Sequence, residues 1–271
     1  MGERHRSVLV TGGGRGLGRA IAERFAADGA KVGVLARTAS QLEETVAAVR
    51  DAGGEATAYV ADVLDPAGLR KAINRFDSWA GGLDALVCAA GRLKAIGPHA
   101  QTDPGEWWRD LETSVRGVDL TLREALPLLR RSAHASVSVL VGPGQNGALP
   151  FASGYAAGQA ALVSLVESLG HEWVAEGVAV YAVNPGLVVT DLVRAIVESH
   201  EGRRWLPRFN EALAEGKEVG PEVVAEMVAW LAERRPPELS GRVVPAPLSP
   251  AIVETRLERI RDENLNVLRL R

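Results

Sequence analysis

From residue 7 to residue 22 the chain reads Ser7-Val8-Leu9-Val10-Thr11-Gly12-Gly13-Gly14-Arg15-Gly16-Leu17-Gly18-Arg19-Ala20-Ile21-Ala22, an apolar run that breaks into glycine and resumes with a different period. The run Val8 to Val10 predicts a buried strand, and the glycine cluster predicts a turn. Leu17, Ala20, Ile21, Ala22 and Phe25 then recur at helical spacing, so the order is strand, turn, helix. The N-terminal end of a helix offers unpaired N–H groups and a positive dipole end, which suit a phosphate. Glycine lets the backbone approach a pyrophosphate with no Cβ in the way. A second apolar stretch at 31–35 follows at the distance of a βαβ unit, a context that an isolated glycine cluster lacks.

The same alternation continues along the chain. Helices are expected at 17–27, 39–52, 66–79, 104–129, 154–175 and 221–233, and strands at 8–10, 31–35, 56–60, 83–87, 135–141, 178–183 and 241–244. Short apolar strands alternating with helices predict an α/β protein, a doubly wound parallel sheet with helices on both faces. At 271 residues the chain suits one large domain, placed here at 1–249. Within it, residues 191–218 carry Arg203, Arg204, Trp205 and Arg208 and read as a helical flap over the carboxyl edge of the sheet, where a substrate lid would sit; a solvated helix pair anchored by one tryptophan fits equally well. The remaining 250–271, with Ile252, Val253, Leu257, Ile260, Leu265 and Leu268 among charges of both signs, reads as a helical extension for packing or oligomerisation.

Charge and cysteine content narrow the function. A net charge of −3 gives no global field for nucleic acid or an anionic membrane. No apolar run reaches transmembrane length, and Met1 to Arg6 lead straight into the first strand, so no leader is expected. The single cysteine, Cys88, fits a reducing, cytoplasmic setting. His5, His99, His134, His171 and His200 are scattered without ligand spacing, so no metal site is expected. Where an acid at the end of the second strand would bind ribose hydroxyls, the chain has Ala36-Arg37, and Arg15 lies in the glycine turn. Two basic residues flanking the ribose favour a 2′-phosphate, hence NADP(H) over NAD(H), against the plainer reading of two solvated arginines.

The order of motifs resembles the short-chain dehydrogenase/reductase family across residues 7–244, which implies a Rossmann-like fold. Thr11, Gly12, Gly16 and Gly18 match its TGxxxGxG turn, and Asp62-Val63 match the pair that meets the adenine ring. Cys88-Ala89-Ala90-Gly91 stand where NNAG is usual, and Asn184-Pro185-Gly186 through Val188 and Thr190 match the loop around the nicotinamide. The cofactor-binding set implied is Thr11, Gly12, Arg15, Gly16, Leu17, Gly18, Arg37, Asp62, Val63, Ala89, Ala90, Gly91, Tyr155, Gln159, Pro185, Gly186, Val188 and Thr190.

The resemblance also implies four catalytic positions: a tyrosine, a lysine four residues later, a serine thirteen residues earlier and an asparagine in the preceding long helix. Here they are Tyr155, Gln159, Gly142 and Ser114, so one of the four is kept. Gln159 can hydrogen-bond ribose hydroxyls but brings no charge. A nearby cation depresses an acid by about 1–3 pKa units, so without one Tyr155 is expected near its reference of about 10, a neutral phenol. That handicaps alcohol oxidation, which needs phenolate, more than carbonyl reduction, which needs phenol. Losing the serine hydroxyl removes an oxyanion donor worth roughly 2.7–4 kcal/mol elsewhere; Gln145, Asn146 and Ser153 are the polar candidates to replace it, and Lys94 is a lysine that could approach the cleft.

Three readings stay open: an atypical NADP(H)-dependent carbonyl reductase, a redox-neutral enzyme on the same scaffold, and a catalytically silent NADP(H)-binding subunit. A homo-oligomer, dimer or tetramer, is expected, with a hetero-oligomer beside an active relative as the alternative.

Overall fold

A computed structural model of the chain describes residues 7–267, so Met1 to Arg6, with His5, and Leu268 lie outside the described residues. The elements run β1 (Ser7–Thr11), α1 (Gly16–Ala27), β2 (Lys31–Ala36), α2 (Ala39–Asp51), β3 (Glu55–Val60), α3 (Pro66–Ala80), β4 (Ala85–Cys88), α4 (Pro104–Leu129), β5 (Ser136–Leu140) and α5 (Ser153–Glu172). They continue with β6 (Ala179–Asn184), α6 (Asp191–Glu198), α7 (His200–Trp205), α8 (Pro207–Ala214), α9 (Pro221–Arg234), β7 (Val243–Pro245), α10 (Pro250–Glu254) and α11 (Leu257–Asp262).

The seven strands form one parallel sheet in the order β3-β2-β1-β4-β5-β6-β7. Its centre is apolar because both faces are covered: every residue of β1 and β4 is buried. On one face Ile21 and Phe25 of α1, Val46 and Val49 of α2, and Val224 and Val228 of α9 pack on Val8, Val32 and Val34. On the other, Leu69 and Phe76 of α3, Leu122 and Leu129 of α4, and Leu162 and Val166 of α5 pack on Leu9, Leu86 and Val137. Strand order reverses between β1 and β4, which opens a crevice at the carboxyl ends of these strands.

Local signals set several boundaries. Asp65 accepts from the Ala67 N–H ahead of Pro66, and Asp103 from the Glu106 N–H ahead of Pro104, so α3 and α4 start where a capping acid precedes proline. Strand β7 begins two residues later than expected, because Gly241 turns at φ +80° against Gly170 of α5. The flap differs from a solvated helix pair. It is three short helices, α6 to α8, whose Val193, Ile196, Leu206 and Phe209 form a small apolar core with Leu93, Leu149 and Ala152. In the C-terminal segment Val253, Leu257 and Ile260 join the core beneath α9, while Ile252 stays exposed.

Candidate active site

The glycine turn is held from two sides. The Gly12 N–H donates to the Leu35 carbonyl at 2.7 Å, and the buried Thr11 hydroxyl donates to the Val87 carbonyl at 3.4 Å. Gly12 adopts φ +69°, and a Cβ there would stand 2.8 Å from the Ala89 carbonyl and the Ala90 nitrogen. Glycine is therefore required twice over, by conformation and by the approach of the 88–91 loop. Gly18 sits under the Gly12 carbonyl, and Leu17 packs on the core below α1. Arg15 precedes α1 without a side-chain cap, so the first-turn N–H groups face the crevice with no capping side chain.

The remaining expected contacts fall around the same crevice. Arg37, just after β2, lies 3.7 Å from Asp62 after β3, and Val63 is buried against Gly117 of α4. Ala89, Ala90 and Gly91 follow β4. After β6, the Gly186 N–H donates to Asn184 at 3.0 Å and Val188 is buried. Thr190 caps α6 through the Val193 N–H and touches the glycine turn, its methyl 3.3 Å from where a Gly16 Cβ would be. One ion pair spans the crevice mouth, Arg15 to Asp191 at 3.2 Å.

Tyr155 and the other three implied catalytic positions form one packed group. Gln159 is 4% exposed: its Oε1 accepts from the Gly142 N–H at 2.8 Å, and its Nε2 donates to Ser114 Oγ at 3.2 Å. Ser114 in turn donates to the Asp110 carbonyl at 3.0 Å. Gln159, which the resemblance places at the ribose, makes one hydrogen bond inside the protein at each end of its amide. Tyr155 fills the space that a side chain at 142 would occupy, since a Gly142 Cβ would be 2.1 Å from its hydroxyl oxygen. Gly142 therefore does more than omit a hydroxyl; it makes room for the phenol.

The tyrosine also departs from an ordinary phenol. Burial, and then the Asp110 carboxylate, push its pKa above the usual tyrosine value. Asp110, a fully buried carboxylate on α4, lies outside the motif spacings. Its Oδ2 accepts from the N–H groups of Lys94 and Ala95, both at 2.8 Å, and its Oδ1 pairs with Arg92 at 3.2 Å. Burial raises its pKa, opposed by those two N–H donors and Arg92. A signal for it existed: Asp110 leads the buried face Ser114, Gly117, Val118 and Thr121 at helical spacing. Lys94 gives Asp110 its backbone N–H while its side chain stays exposed.

The other polar candidates lie apart from this group or are unengaged. Ser153 is bound by Trp107 Nε1 at 2.9 Å and by His99 at 3.3 Å. Gln145 is buried, with its Oε1 lacking a hydrogen-bond partner, and Asn146 is exposed. Burial raises the Cys88 thiol to about 12, so it is an inert core residue. Among the described residues no group of three or more His, Cys, Asp or Glu is placed to hold a metal, and no helix is long and apolar enough to cross a membrane.

Comparison with known proteins gives this arrangement its lineage. Residues 6–201 match the short chain dehydrogenase family. The chain belongs to the short-chain dehydrogenase/reductase family. Among its relatives in that family is the short chain dehydrogenase mpl6 of Monascus purpureus, 31% identical over 261 residues, covering 94% of this chain and 85% of that protein. The meso-2,3-butanediol dehydrogenase of Serratia marcescens is also 31% identical, covering 88% of this chain and 91% of the other. Among solved structures, levodione reductase superposes with a TM-score of 0.81 at 28% identity, covering 89% of this chain and 95% of that one. A variant of the actinorhodin polyketide ketoreductase solved with NADPH also gives a TM-score of 0.81, at 26% identity, covering 90% and 97%. Short-chain dehydrogenases/reductases are oxidoreductases that use NAD(P).

Proposed function

We propose that this chain is an NADP(H)-dependent carbonyl reductase in which Tyr155 gives a proton to the substrate oxygen. The carrying observation is the state of Tyr155, a phenol kept neutral by burial and by Asp110, which holds a proton that can be given and offers no phenolate to act as a base. The residues fit a dinucleotide. The cradle at Gly12, closed to any Cβ, and the free first turn of α1 would hold the pyrophosphate. Arg15 and Arg37 would meet the 2′-phosphate, Asp62 and Val63 the adenine, and Pro185, Gly186, Val188 and Thr190 the nicotinamide. Bound there, the reduced cofactor supplies the hydride. The chain's own residues orient the carbonyl, exclude water beneath the flap and hold one proton on the Tyr155 oxygen.

Monitoring NADPH consumption against a panel of ketones and aldehydes tests this reading. Turnover that falls to background in Tyr155→Phe supports it; turnover no different from that variant excludes it.

One observation favours a second reading, a silent NADP(H)-binding subunit in a homo-oligomer or beside an active relative. Gln159 is hydrogen-bonded to Gly142 and Ser114 and brings no cation to the phenol. Calorimetric NADPH binding without turnover, together with co-purification of a relative carrying the lysine and serine, would select it.

A further inference from the structure

Between β4 and α4 the chain is fastened at two points and left open between them. The Ala89 N–H donates to the Thr11 carbonyl at 3.2 Å, which fixes the loop where it leaves β4. A Cβ on Gly12 would stand 2.8 Å from the Ala89 carbonyl, so the loop bears directly on the glycine turn. A few residues on, the loop is held again, this time by Asp110 of α4. The Asp110 Oδ2 takes both the Lys94 and the Ala95 N–H at 2.8 Å, and Arg92 Nε lies 3.2 Å from its Oδ1. Arg92 also reaches Glu106, one helical turn before Asp110. Gly97 then donates at 2.8 Å to the carbonyl of Phe151, which has a left-handed φ of +66° in the loop before α5. Ala90 and Gly91 lie between the two fastenings, and a Cβ on Gly91 would meet nothing within 4 Å among the described residues.

A buried carboxylate is an expensive way to hold a loop, because a charge loses more on leaving water than hydrocarbon does. Asp110 is fully buried, and the Arg92 side chain is 18% exposed. The Asp110 Oδ1 receives no aligned hydrogen bond, so the pair is incompletely satisfied. Buried pairs are often replaceable by hydrophobic residues without loss of stability, and their best-attested use is to fix a register. Here the register is that of the loop on α4. Close helix packing brings the same fixed point to the acid. Cβ atoms on Gly154 and Gly158 of α5 would stand 2.7 Å from the Trp107 carbonyl oxygen and 2.9 Å from Ser114 Cβ, on either side of Asp110 along α4. Tyr155 follows the first of these glycines, and the Asp110 carboxylate is among the causes that raise the pKa of its phenol.

We propose that Asp110 is a positioning residue that anchors the Ala90–Gly91 span against the glycine turn, so that the crevice is set to receive a dinucleotide beside the phenol. The proposal rests on the reading of that crevice as a dinucleotide site. The anchor is one oxygen taking two N–H groups, whereas the pairing with Arg92 needs the negative charge. Substitution can therefore separate the two contributions.

The test uses the full-length protein, with NADPH titrated by calorimetry and melting temperatures measured on the same samples. Asp110→Asn keeps an oxygen for the two N–H groups and loses the ion pair. It should melt lower than wild type yet bind NADPH within about threefold of it. The double variant Asp110→Leu with Arg92→Met removes ion pair and acceptor together. It should melt at least as high as Asp110→Asn yet bind NADPH about tenfold or more weakly than wild type. Amide exchange at Lys94 and Ala95 should be slow in wild type and in Asp110→Asn, and fast in the double variant. A purely structural role predicts that affinity follows melting temperature across the three proteins, and that outcome overturns the proposal. So does fast exchange at 94 and 95 in the wild-type protein, or a loss of about tenfold in Asp110→Asn whether or not the double variant folds. Failure of the wild type to bind NADPH removes the dinucleotide reading and the proposal with it, whereas binding shared equally by all three proteins removes the proposal alone. With the expected pattern and no NADPH consumption, the anchor stands and the reductase reading falls.

Discussion

Tyr155 is one of three tyrosines, with Tyr59 and Tyr181, and burial holds all three above the ordinary phenol range. A group whose pKa is raised on folding contributes its stability below the unfolded value and loses it as pH rises toward the folded value. The folded protein should therefore show almost no phenolate absorbance at 295 nm as pH passes about 10, where free tyrosine is half ionised. Phenolate should instead appear together with alkaline unfolding. A component titrating earlier and missing from Tyr155→Phe would contradict the neutral phenol on which the reductase reading depends. The neighbouring glycine makes a sharper prediction. Gly142→Ser restores the family's residue in a space the phenol already fills, so it should destabilise by about 1–3 kcal/mol, as overpacking does, and should not raise NADPH turnover. Denaturant melts and a structure of the variant check it; unchanged stability with the phenol in place would show that the site accommodates both.

At the scale of elements, α6 to α8 pack on an apolar cluster of their own. The core under α6 to α8 draws on residues from 93 to 209 in three separate segments, whereas β1 and β4 to β6 lie between full helical layers. Leu206→Ala should cost the local opening of the flap about 2–5 kcal/mol, the range for a buried leucine, while the central strands keep their protection. Hydrogen exchange resolved by peptide checks this, and uniform loss of protection across sheet and flap would mean the flap is part of the global core. The flap also shows where sequence patterns stop being readable. Strand, turn and helix around Gly12 are legible because each signal lies within a few neighbours. The flap core is not, because Leu93, Leu149 and Leu206 share no local period. Asp110 escapes for a related reason, since a charge in an amphipathic helix ordinarily reads as its wet face. Phe151 escapes because nothing about phenylalanine announces a left-handed backbone.

Across the whole molecule, the crevice is built from both halves of the chain. The glycine turn and the 88–91 loop come before the sheet's midpoint, and Tyr155 and the 184–190 loop after it. Motif spacing finds each of these segments; only the fold shows that Thr190 touches Gly16 and that Arg15 reaches Asp191. That exposed pair ties up an arginine assigned to the 2′-phosphate and places a carboxylate beside it. Asp191→Asn should tighten NADPH by up to about fivefold, the scale of a surface ion pair, and NADH by less. Calorimetry on both dinucleotides decides it; equal effects on the two would remove Arg15 from the phosphate site.

The amide of Gln159 reaches Gly142 on one side and Ser114 on the other, which ties the three positions to a single fate. Install a lysine alone and the Gly142 N–H loses its acceptor; install an asparagine alone and the amide loses its hydroxyl; install a serine alone and the phenol is evicted. A change at any one of the three positions therefore disturbs a contact made by another.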